Sequence, residues 1–194
     1  MMPYMRTWTS YIATTISPIF TPEQCQLIIN SGHQQKSEQA KVGGCKSGKE
    51  DTKKRVTTIS WIPFKEMPQM YRVIENQLSI VNLNHMMFDG IRLTEPAQFT
   101  EYPKGGFYDW HMDLNPFGKT GGHPIRKISM TCLLSDPSEF KGGDLAFDHQ
   151  PNNKVALKQG QAIFFASFMR HRVEPVKKGI RRSLVMWFGG PPFK

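Results

Sequence analysis

The feature that most constrains the fold is a succession of short β-type segments that fills the chain from Met86 onward. Turns rich in Gly, Pro and Asn separate these segments, and such residues interrupt strands and favour tight turns. Several short strands with turn signals between them indicate a sandwich or a barrel. The predicted strands are 86–93, 97–103, 107–113, 126–135, 144–148, 154–157, 162–166, 171–175 and 181–189.

Two helices are predicted before these strands. Thr21-Pro22 combines an N-cap with a proline at the first helical position, and this helix is expected to run to about Ser31, with Gly32 ending it. The second helix begins at Met67-Pro68 and runs to about Val81, because its apolar residues recur at helical spacing.

Two segments are predicted to be loops. Residues 33–55 are rich in Gly, Lys and Gln and carry almost no large apolar side chains. A strand follows from Arg55 to Ile62, and residues 114–125 form the second predicted loop. Each loop is either a lid over a substrate or a plain solvated connection, and the sequence leaves both readings open.

The composition is that of a globular chain. With 194 residues and 39% hydrophobic content, we expect a single domain over residues 1–194 with a real core. The three cysteines, Cys25, Cys45 and Cys132, lack metal-ligand spacing and indicate free thiols in a reducing compartment. The sequence shows no signal-peptide pattern at its start and no apolar run of membrane-spanning length, so we expect a soluble, cytoplasmic protein with no membrane partner.

The net charge of +9 raises the question of a nucleic-acid partner. The basic residues are scattered, and no RNA-binding aromatic signature accompanies them, so a nucleic-acid partner is not expected. We expect a cationic rim around the site instead, because Arg170 and Arg172 flank the candidate ligand His171.

The stretch from Tyr102 to Asp113 ends in His111-Met112-Asp113. Alternate side chains of a strand share a face, so His111 and Asp113 can bind one metal ion from the same side. His171 is the best candidate for a third ligand. Two histidines and one carboxylate leave three coordination positions open, as in the facial triad of non-haem Fe(II) oxygenases. Alone, a His-x-Asp pair is a weak signal that also suits a polar strand face.

Other histidines are poorer candidates for the third ligand. His149 follows Asp148 directly, and adjacent strand residues point to opposite faces. His123 lies in the second predicted loop, where a ligand would not be held rigidly. His85 and His33 remain as rivals.

A candidate carboxylate clamp lies ten residues after His171. Arg181 and Ser183 share a strand face, and an arginine fork with a hydroxyl beside it suits the distal carboxylate of a dicarboxylic acid. Arg182 has the opposite phase and is expected to face solvent. A metal with open positions and a buried clamp together indicate 2-oxoglutarate binding.

The combined pattern resembles the prolyl 4-hydroxylase-type 2-oxoglutarate/Fe(II) dioxygenases, and among them most closely the bacterial PKHD-type hydroxylases. The resemblance covers roughly Thr21 to Trp187. Lys127 departs from it, because PKHD relatives usually have Asp there. The shared motifs are Tyr102-x-x-Gly105-x-x-Tyr108-x-x-His111-x-Asp113, Leu134 to Pro137, Gly142-Gly143-x-Leu145, Gly160, His171-Arg172-Val173-x-Pro175-Val176, Gly179-x-Arg181 and Trp187.

The resemblance implies a mainly β (α+β) fold, a double-stranded β-helix in the form of a distorted, cupin-like jelly roll, with two supporting helices packed on one sheet. It implies Fe(II), 2-oxoglutarate and O2 as cofactor and co-substrates, with ascorbate as reductant. The implied reaction hydroxylates a substrate C–H, above all in a prolyl residue of a protein or peptide, and yields succinate and CO2.

The resemblance also implies roles for individual residues. Tyr102 matches the position whose hydroxyl hydrogen-bonds 2-oxoglutarate, although a core tyrosine would fit as well. Tyr108 and Trp187 match positions that contact the substrate proline, and barrel packing explains both equally. Arg126 is a candidate donor to a substrate carbonyl.

Two classes of function compete at this point. The first is the hydroxylase, acting on a prolyl residue or alternatively on a small molecule or a nucleic acid. The second is a non-catalytic jelly-roll protein that binds a metal or a small acid. The Arg181 clamp favours the enzyme, and Asp113 favours hydroxylation because related halogenases lack this carboxylate.

Overall fold

The computed structural model describes residues 10–40, 54–114, 124–148 and 154–192. It contains two α-helices, one short π-helix and fifteen strands in this part of the chain. The elements are, in chain order, β1 Ile12–Thr14, α1 Pro22–Gln34, β2 Glu38–Gln39, β3 Arg55–Val56, β4 Thr58–Ile62, α2 Pro68–Val81, the π-helix Asn82–Met86, β5 Arg92–Leu93, β6 Ala97–Tyr102, β7 Phe107–His111, β8 Ile125–Leu133, β9 Lys141–Gly142, β10 Leu145–Phe147, β11 Lys154–Val155, β12 Ala162–Ala166, β13 His171–Val173, β14 Val176–Lys178 and β15 Arg181–Gly190.

The first helix begins where the sequence predicts and ends later. Thr21 and Gln24 form a capping box, in which each side chain bonds the backbone N–H of the other. The expectation that Gly32 ends the helix is wrong, because α1 continues to Gln34. A Cβ atom on Gly32 would lie 2.4 Å from the ring of Phe99, so the glycine allows the helix to approach the sheet closely.

The predicted strand over residues 86–93 is also wrong for most of its length. Met86 ends the π-helix, and Met87 adopts a left-handed conformation with φ of 55°. The side chain of Asn82 donates to the carbonyl of Phe88 at 2.8 Å and accepts from its N–H at 2.9 Å. These bonds replace a β-ladder locally, and only Arg92–Leu93 pairs as a strand.

The predicted strand from Arg55 to Ile62 divides between two sheets at Thr57. β3 joins the smaller sheet, and β4 joins the larger one. The hydroxyl of Thr57 donates to the carbonyl of Glu101 at 2.6 Å, which fixes the crossing point. Of the two predicted loops, residues 41–53 and 115–123 lie outside the described part, so their predicted role as lids is untested.

The larger sheet has eight strands in the order β1-β12-β8-β15-β6-β4-β2, with β5 paired to β15. Its central strand β15 pairs with both β6 and β8 along its length. Lys127, the departure from the PKHD pattern, lies buried within β8 beside a register shift, and its carbonyl accepts the N–H of Ser167 at 2.9 Å.

The smaller sheet has five strands in the order β11-β10-β13-β7-β3 and faces the larger one. Buried residues of both sheets, such as Phe147 and Phe165, form the core between them. Residues of α1 and α2 pack against the opposite face of the larger sheet in a second core, to which Ile28 and Ile74 belong. The predicted mainly β fold with two helices on one sheet is therefore confirmed. Within the described residues, no helix combines the length and apolar character needed to cross a lipid bilayer.

Candidate metal centre and cavity

Strand pairing brings the two predicted histidine ligands together. His111 ends β7 and His171 begins β13, and these residues face each other directly in the antiparallel register. Their ring centroids lie 4.2 Å apart. Residues 60 positions apart in the chain thus become neighbours through the smaller sheet alone.

Both imidazoles present the same nitrogen to the space between them. The Nδ1 of His111 lies 2.8 Å from the carbonyl of Asp109, and the Nδ1 of His171 lies 2.9 Å from the carbonyl of Met169. A carbonyl can only accept, so each Nδ1 carries a proton, and in the neutral ring it is Nε2 that keeps the lone pair available to a metal. Backbone acceptors behind the ring are the usual way in which metal-binding histidines are oriented.

Asp113 completes the group from beyond the end of β7. Its N–H donates to the carbonyl of Ser167 at 3.0 Å, which turns the chain so that the carboxylate faces both rings. One carboxylate oxygen lies 3.7 Å from Nε2 of His111, and the other lies 3.6 Å from Nε2 of His171. One donor atom from each of the three residues lies within 4.8 Å of the others, a spacing that a single metal ion can bridge.

The protonation states suit a metal site. Burial, together with the neighbouring His171, lowers the pKa of His111 to about 3, so its Nε2 is unprotonated at neutral pH. Burial by itself would raise the pKa of Asp113, but His171, His111 and the Ser129 hydroxyl outweigh it and keep the pKa below the ordinary value. Two imidazole nitrogens and one carboxylate facing a common point are a donor set for a divalent metal such as iron.

A buried hydroxyl pair supports the carboxylate of Asp113. The hydroxyls of Ser129 and Ser167 lie 3.0 Å apart and are fully buried, and the Ser129 hydroxyl is close enough to Asp113 to lower the pKa of its carboxyl. Because Ser129 can donate only one proton, the consistent arrangement has Ser167 donating to Ser129 and Ser129 donating to Asp113. The carbonyl of the same Ser167 accepts the backbone N–H of Asp113. Ser167 therefore acts on Asp113 directly through the backbone and indirectly through the hydroxyl of Ser129.

The three ligands open into a cavity of about 490 Å³ between the sheets. Four other predicted site residues line it, namely Tyr102, Tyr108, Arg126 and Trp187. The rival histidines do not line this cavity: His33 pairs with Glu101 at 3.1 Å, and His85 lies on the π-helix. His123 and His149 are outside the described residues.

The predicted clamp residues lie behind the cavity wall. Arg181 is only 3% exposed, and its Nη1 donates to the hydroxyl of Ser183 at 3.1 Å. Its guanidinium lies 5.6 Å from the ring centroid of Tyr102, its cross-strand partner, which does line the cavity. Among the described residues, no carboxylate lies within 4.0 Å of Arg181. Arg182 points the other way and pairs with Glu101 at 2.7 Å, so it is not free in solvent.

The three residues predicted to contact the substrate, Tyr108, Arg126 and Trp187, each stack on a neighbouring side chain. The ring of Tyr108 lies parallel to that of His111 with centroids 3.5 Å apart, and burial raises the pKa of the Tyr108 phenol to about 12. Arg126 contacts Glu95 through two nitrogens, one of them Nε at 2.6 Å, and lies 3.9 Å above the ring of Trp187. The predicted carbonyl donor is therefore already bound to an acid.

The expected cationic rim is not where the sequence places it. Arg170 pairs with Asp148 at 3.3 Å and Arg172 pairs with Glu174 at 2.7 Å. Both lie over the ring of Trp110, and neither lines the cavity.

Sequence reasoning missed several residues of the site. Ser129 and Ser167 carry no signal, since buried serines are common and their role depends on how β8 meets the turn after β12. Arg55 also lines the cavity. The sequence shows Arg55 at the start of a β-rich segment. It does not show that the chain changes sheet after β3, which is what brings Arg55 to the cavity.

Comparison with known proteins finds one family model and several curated relatives that each match part of the chain. Residues 97–189 match the model of the 2OG-Fe(II) oxygenase superfamily. A PKHD-type hydroxylase of Synechococcus sp. (strain CC9902) is 40% identical over 84 residues, which make up 43% of this chain and 36% of that relative. The PKHD-type hydroxylase YbiX of Escherichia coli (strain 55989 / EAEC) is 30% identical over 127 residues, 61% of this chain and 55% of that relative. The predicted resemblance to PKHD-type hydroxylases is confirmed, over about half or less of these relatives' length.

Two solved structures share the fold over nearly the whole chain. The viral collagen prolyl hydroxylase from Paramecium Bursaria Chlorella virus-1 superposes with a TM-score of 0.70 at 20% identity, covering 94% of this chain and 97% of that one. A Pseudomonas putida prolyl-4-hydroxylase superposes with a TM-score of 0.71 at 20% identity, covering 95% of each chain. The predicted double-stranded β-helix, or jelly roll, is confirmed, and its two sheets do not close into a barrel.

Replacing Ser129 should weaken metal binding without removing a ligand. We expect Ser129→Ala to lower the affinity for Mn(II) roughly tenfold, because Asp113 loses a partner that orients it. Isothermal titration calorimetry measures this directly. Ser60→Ala is the matched control, since Ser60 is a buried serine whose hydroxyl bonds the carbonyl of Gly32, away from the cavity. Equal metal affinity in the Ser129 variant and the wild type would contradict the assigned role.

Proposed function

We propose that the protein is an Fe(II)- and 2-oxoglutarate-dependent dioxygenase that hydroxylates a prolyl residue of a protein or peptide, and the match of residues 97–189 to the 2OG-Fe(II) oxygenase superfamily model supports this. The observation that carries the proposal is the convergence of two imidazole Nε2 atoms and one carboxylate on a common point beside a cavity. The matched region spans 36% of one PKHD-type relative and 55% of the other, so the activity and the substrate of this protein are proposals.

The residues present fit the metal and the co-substrate. His111, Asp113 and His171 would hold Fe(II) through neutral nitrogens and an ionised oxygen, which are donors that Fe(II) accepts. Arg181 would bind the far carboxylate of 2-oxoglutarate, helped by Ser183 and by the hydroxyl of Tyr102. A buried guanidinium without an acid partner among the described residues is the main support for this assignment.

Iron and 2-oxoglutarate, when bound, supply the oxidation of the substrate by O2 with release of succinate and CO2. The protein's own residues do the rest. The carbonyls of Asp109 and Met169 hold the rings of His111 and His171 so that each Nε2 faces the cavity. His171 and His111, and to a smaller extent the Ser129 hydroxyl, lower the pKa of the Asp113 carboxyl and so favour its ionised form.

The cavity walls suit a proline side chain. Tyr108, Trp61 and Trp187 present aromatic surface, and the rings of Trp61 and Trp187 lie 6.1 Å apart. Aromatic faces pack well against a saturated five-membered ring. The structural relatives support a peptide substrate, because they include prolyl hydroxylases and one from Trichoplax adhaerens in complex with a peptide fragment.

We also propose that ascorbate is the reductant that keeps the iron reduced, that residues 1–194 form a single domain and that the protein is cytoplasmic.

Loss of the carboxylate ligand should abolish the reaction. We expect the wild type to form succinate from 2-oxoglutarate with Fe(II) and ascorbate, and Asp113→Ala to fall to the background rate, because the metal loses its one anionic ligand. Succinate release measures both. The control is Asp136→Ala, which removes an exposed carboxylate that caps a turn. Turnover of the Asp113 variant at the wild-type rate would show that this carboxylate is not a ligand.

The two adjacent arginines should behave differently. Arg181→Ala is expected to raise the 2-oxoglutarate concentration for half-maximal succinate formation roughly tenfold to a hundredfold, because a charge-assisted pair is lost in a buried site. Arg182→Ala serves as the matched control and should change it by about twofold or less, since it removes a partly exposed ion pair with Glu101. Equal effects of the two substitutions would refute the clamp.

The prolyl assignment has its own test. Host proteins incubated with the enzyme and its co-substrates should gain a mass of about 16 Da on proline, because hydroxylation adds one oxygen atom. Mass spectrometry of the digested proteins shows which residues gain the mass. Host proteins incubated with the Asp113→Ala variant are the negative control. The same gain on other residues alone would overturn the prolyl substrate and leave the dioxygenase intact.

A further inference from the structure

Tyrosine and tryptophan rings line the cavity at four positions, and three of these rings already carry a cation of the protein. Guanidinium carbons lie 5.6, 4.4 and 3.9 Å from the ring centroids of Tyr102, Tyr108 and Trp187. The fourth ring, that of Trp61, is half-buried, and no cation in the described part of the chain lies over it. An indole ring attracts a cation more strongly than a phenol or phenyl ring does. Trp61 is therefore the ring of this wall at which a cation from another molecule can bind.

A carboxylate faces the same part of the cavity as Trp61. Glu38, Ile59 and Trp61 all line the cavity. Glu38 in β2 lies directly opposite Ile59 in β4, and Trp61 follows Ile59 by two residues on the same face of that strand. Diagonal neighbours of this kind reach each other when one side chain is aromatic and the other is long. Glu38 and Trp61 thus form a pair at the β2 edge of the larger sheet.

The carboxylate of Glu38 has no ionic partner among the described residues. Glu38 is exposed, and no Lys, Arg or His nitrogen in residues 10–40, 54–114, 124–148 and 154–192 lies within 4.0 Å of its carboxylate. Asp113, the other acid that lines the cavity, belongs to the metal centre. A charged residue on an edge strand is common by itself. Glu38 differs from such a residue because it faces a cavity beside an aromatic ring.

Arg55 lines the same cavity but is held away from Glu38. Its guanidinium lies over the ring of Tyr108 at 4.4 Å, and its Nη2 donates to Oε1 of Gln98 at 3.2 Å. To pair with Glu38, Arg55 would give up both contacts in exchange for an ion pair with an exposed carboxylate, which contributes little. Glu38 is therefore available to a cation that the substrate brings.

The order of the strands places this pair away from the metal centre. Ser129 of β8 and Trp187 of β15 both approach Asp113 closely enough to lower the pKa of its carboxyl, and β6, β4 and β2 follow β15 in the sheet. The ring centroids of Trp187 and Trp61 lie 6.1 Å apart. An extended peptide advances about 3.3–3.6 Å per residue. A side chain that reaches Trp61 therefore belongs to a residue one or two positions from the residue at the metal.

We propose that Glu38 and Trp61 form a substrate subsite for a basic side chain, so that the protein acts on sequences in which arginine or lysine lies one or two residues from the hydroxylated residue. The inference rests on the proposed function, since it describes the substrate of the same cavity. Glu38 supplies an ion pair and Trp61 supplies a cation–π contact to the same guanidinium or ammonium group.

The test uses matched peptides that differ in one charge. Acetyl-Arg-Pro-Gly-amide and acetyl-Gly-Pro-Arg-amide carry the basic residue before and after the proline. In their counterparts, citrulline removes the charge and nearly keeps the shape, and glutamate reverses the charge. Dissociation constants for the full chain with Mn(II) and 2-oxoglutarate are measured by the paramagnetic broadening of the peptides' proton resonances, so the readout does not depend on turnover.

In at least one of the two positions, the wild type should bind the arginine peptide roughly fivefold more tightly than the citrulline peptide, because an exposed ion pair and a cation–π contact are both gained. Glu38→Gln should reduce this preference to about twofold or less. Glu38→Lys should reverse the order, so that the glutamate peptide binds more tightly than the arginine peptide. Glu75→Gln is the matched control and should keep the wild-type preference, since Glu75 is exposed on α2 and does not line the cavity.

Equal affinity of the wild type for the arginine and citrulline peptides in both positions would overturn the subsite. A preference that persists unchanged in Glu38→Gln and Glu38→Lys would overturn it as well, and so would failure of the wild type to bind any of the peptides.

Succinate formation, which is measured without these peptides, separates the subsite from the proposed reaction. A wild type that forms succinate but shows no preference for arginine contradicts the subsite alone. A preference that depends on Glu38, in a protein that forms no succinate, contradicts the proposed reaction and supports the subsite.

Discussion

The direct pairing of His111 with His171 across β7 and β13 is the interaction on which the site depends. It sets two imidazoles side by side with their Nε2 atoms facing the same space, because each Nδ1 is bonded to the carbonyl two residues earlier in the chain. A shift of one residue in this register would turn one ring to the opposite face of the sheet. The third ligand is placed by a separate device, the carbonyl of Ser167, which accepts the N–H of Asp113 just beyond the strand.

The two sheets divide the work of the site. The smaller sheet supplies the two histidines, and the larger sheet supplies the opposite wall through Val185 and Trp187 of its central strand β15. Arg181 and Ser183 share the face of β15 that carries Trp187 but lie behind this wall. The helices stabilise the larger sheet from outside, and the absence of a side chain at Gly32 allows α1 to approach Phe99. The cavity therefore lies between the two sheets. The helices pack on the outer face of the larger sheet, and the hydrogen bonds between neighbouring strands hold the smaller sheet together.

The sequence predicted the three donors from motif spacing, although the strand period that it assumed for Asp113 ends at His111 and the Ser167 carbonyl places that carboxylate instead. It predicted the opposite phases of Arg181 and Arg182 from the strand period. It failed where a residue's role depends on tertiary contact: Gly32 resembles a helix end but serves close packing, and residues 86–93 look β-rich although the Asn82 side chain replaces the ladder. Likewise nothing local distinguishes Arg126, bound by Glu95, from Arg55, which reaches the cavity only because β3 and β4 belong to different sheets.

A crystal structure of the protein soaked with Mn(II) and 2-oxoglutarate tests the metal centre most directly. We expect one ion bound by Nε2 of His111, Nε2 of His171 and a carboxylate oxygen of Asp113, each at about 2.0–2.3 Å. We also expect the distal carboxylate of 2-oxoglutarate to lie against Arg181. An ion bound through either Nδ1, or bound away from these three residues, would contradict this expectation.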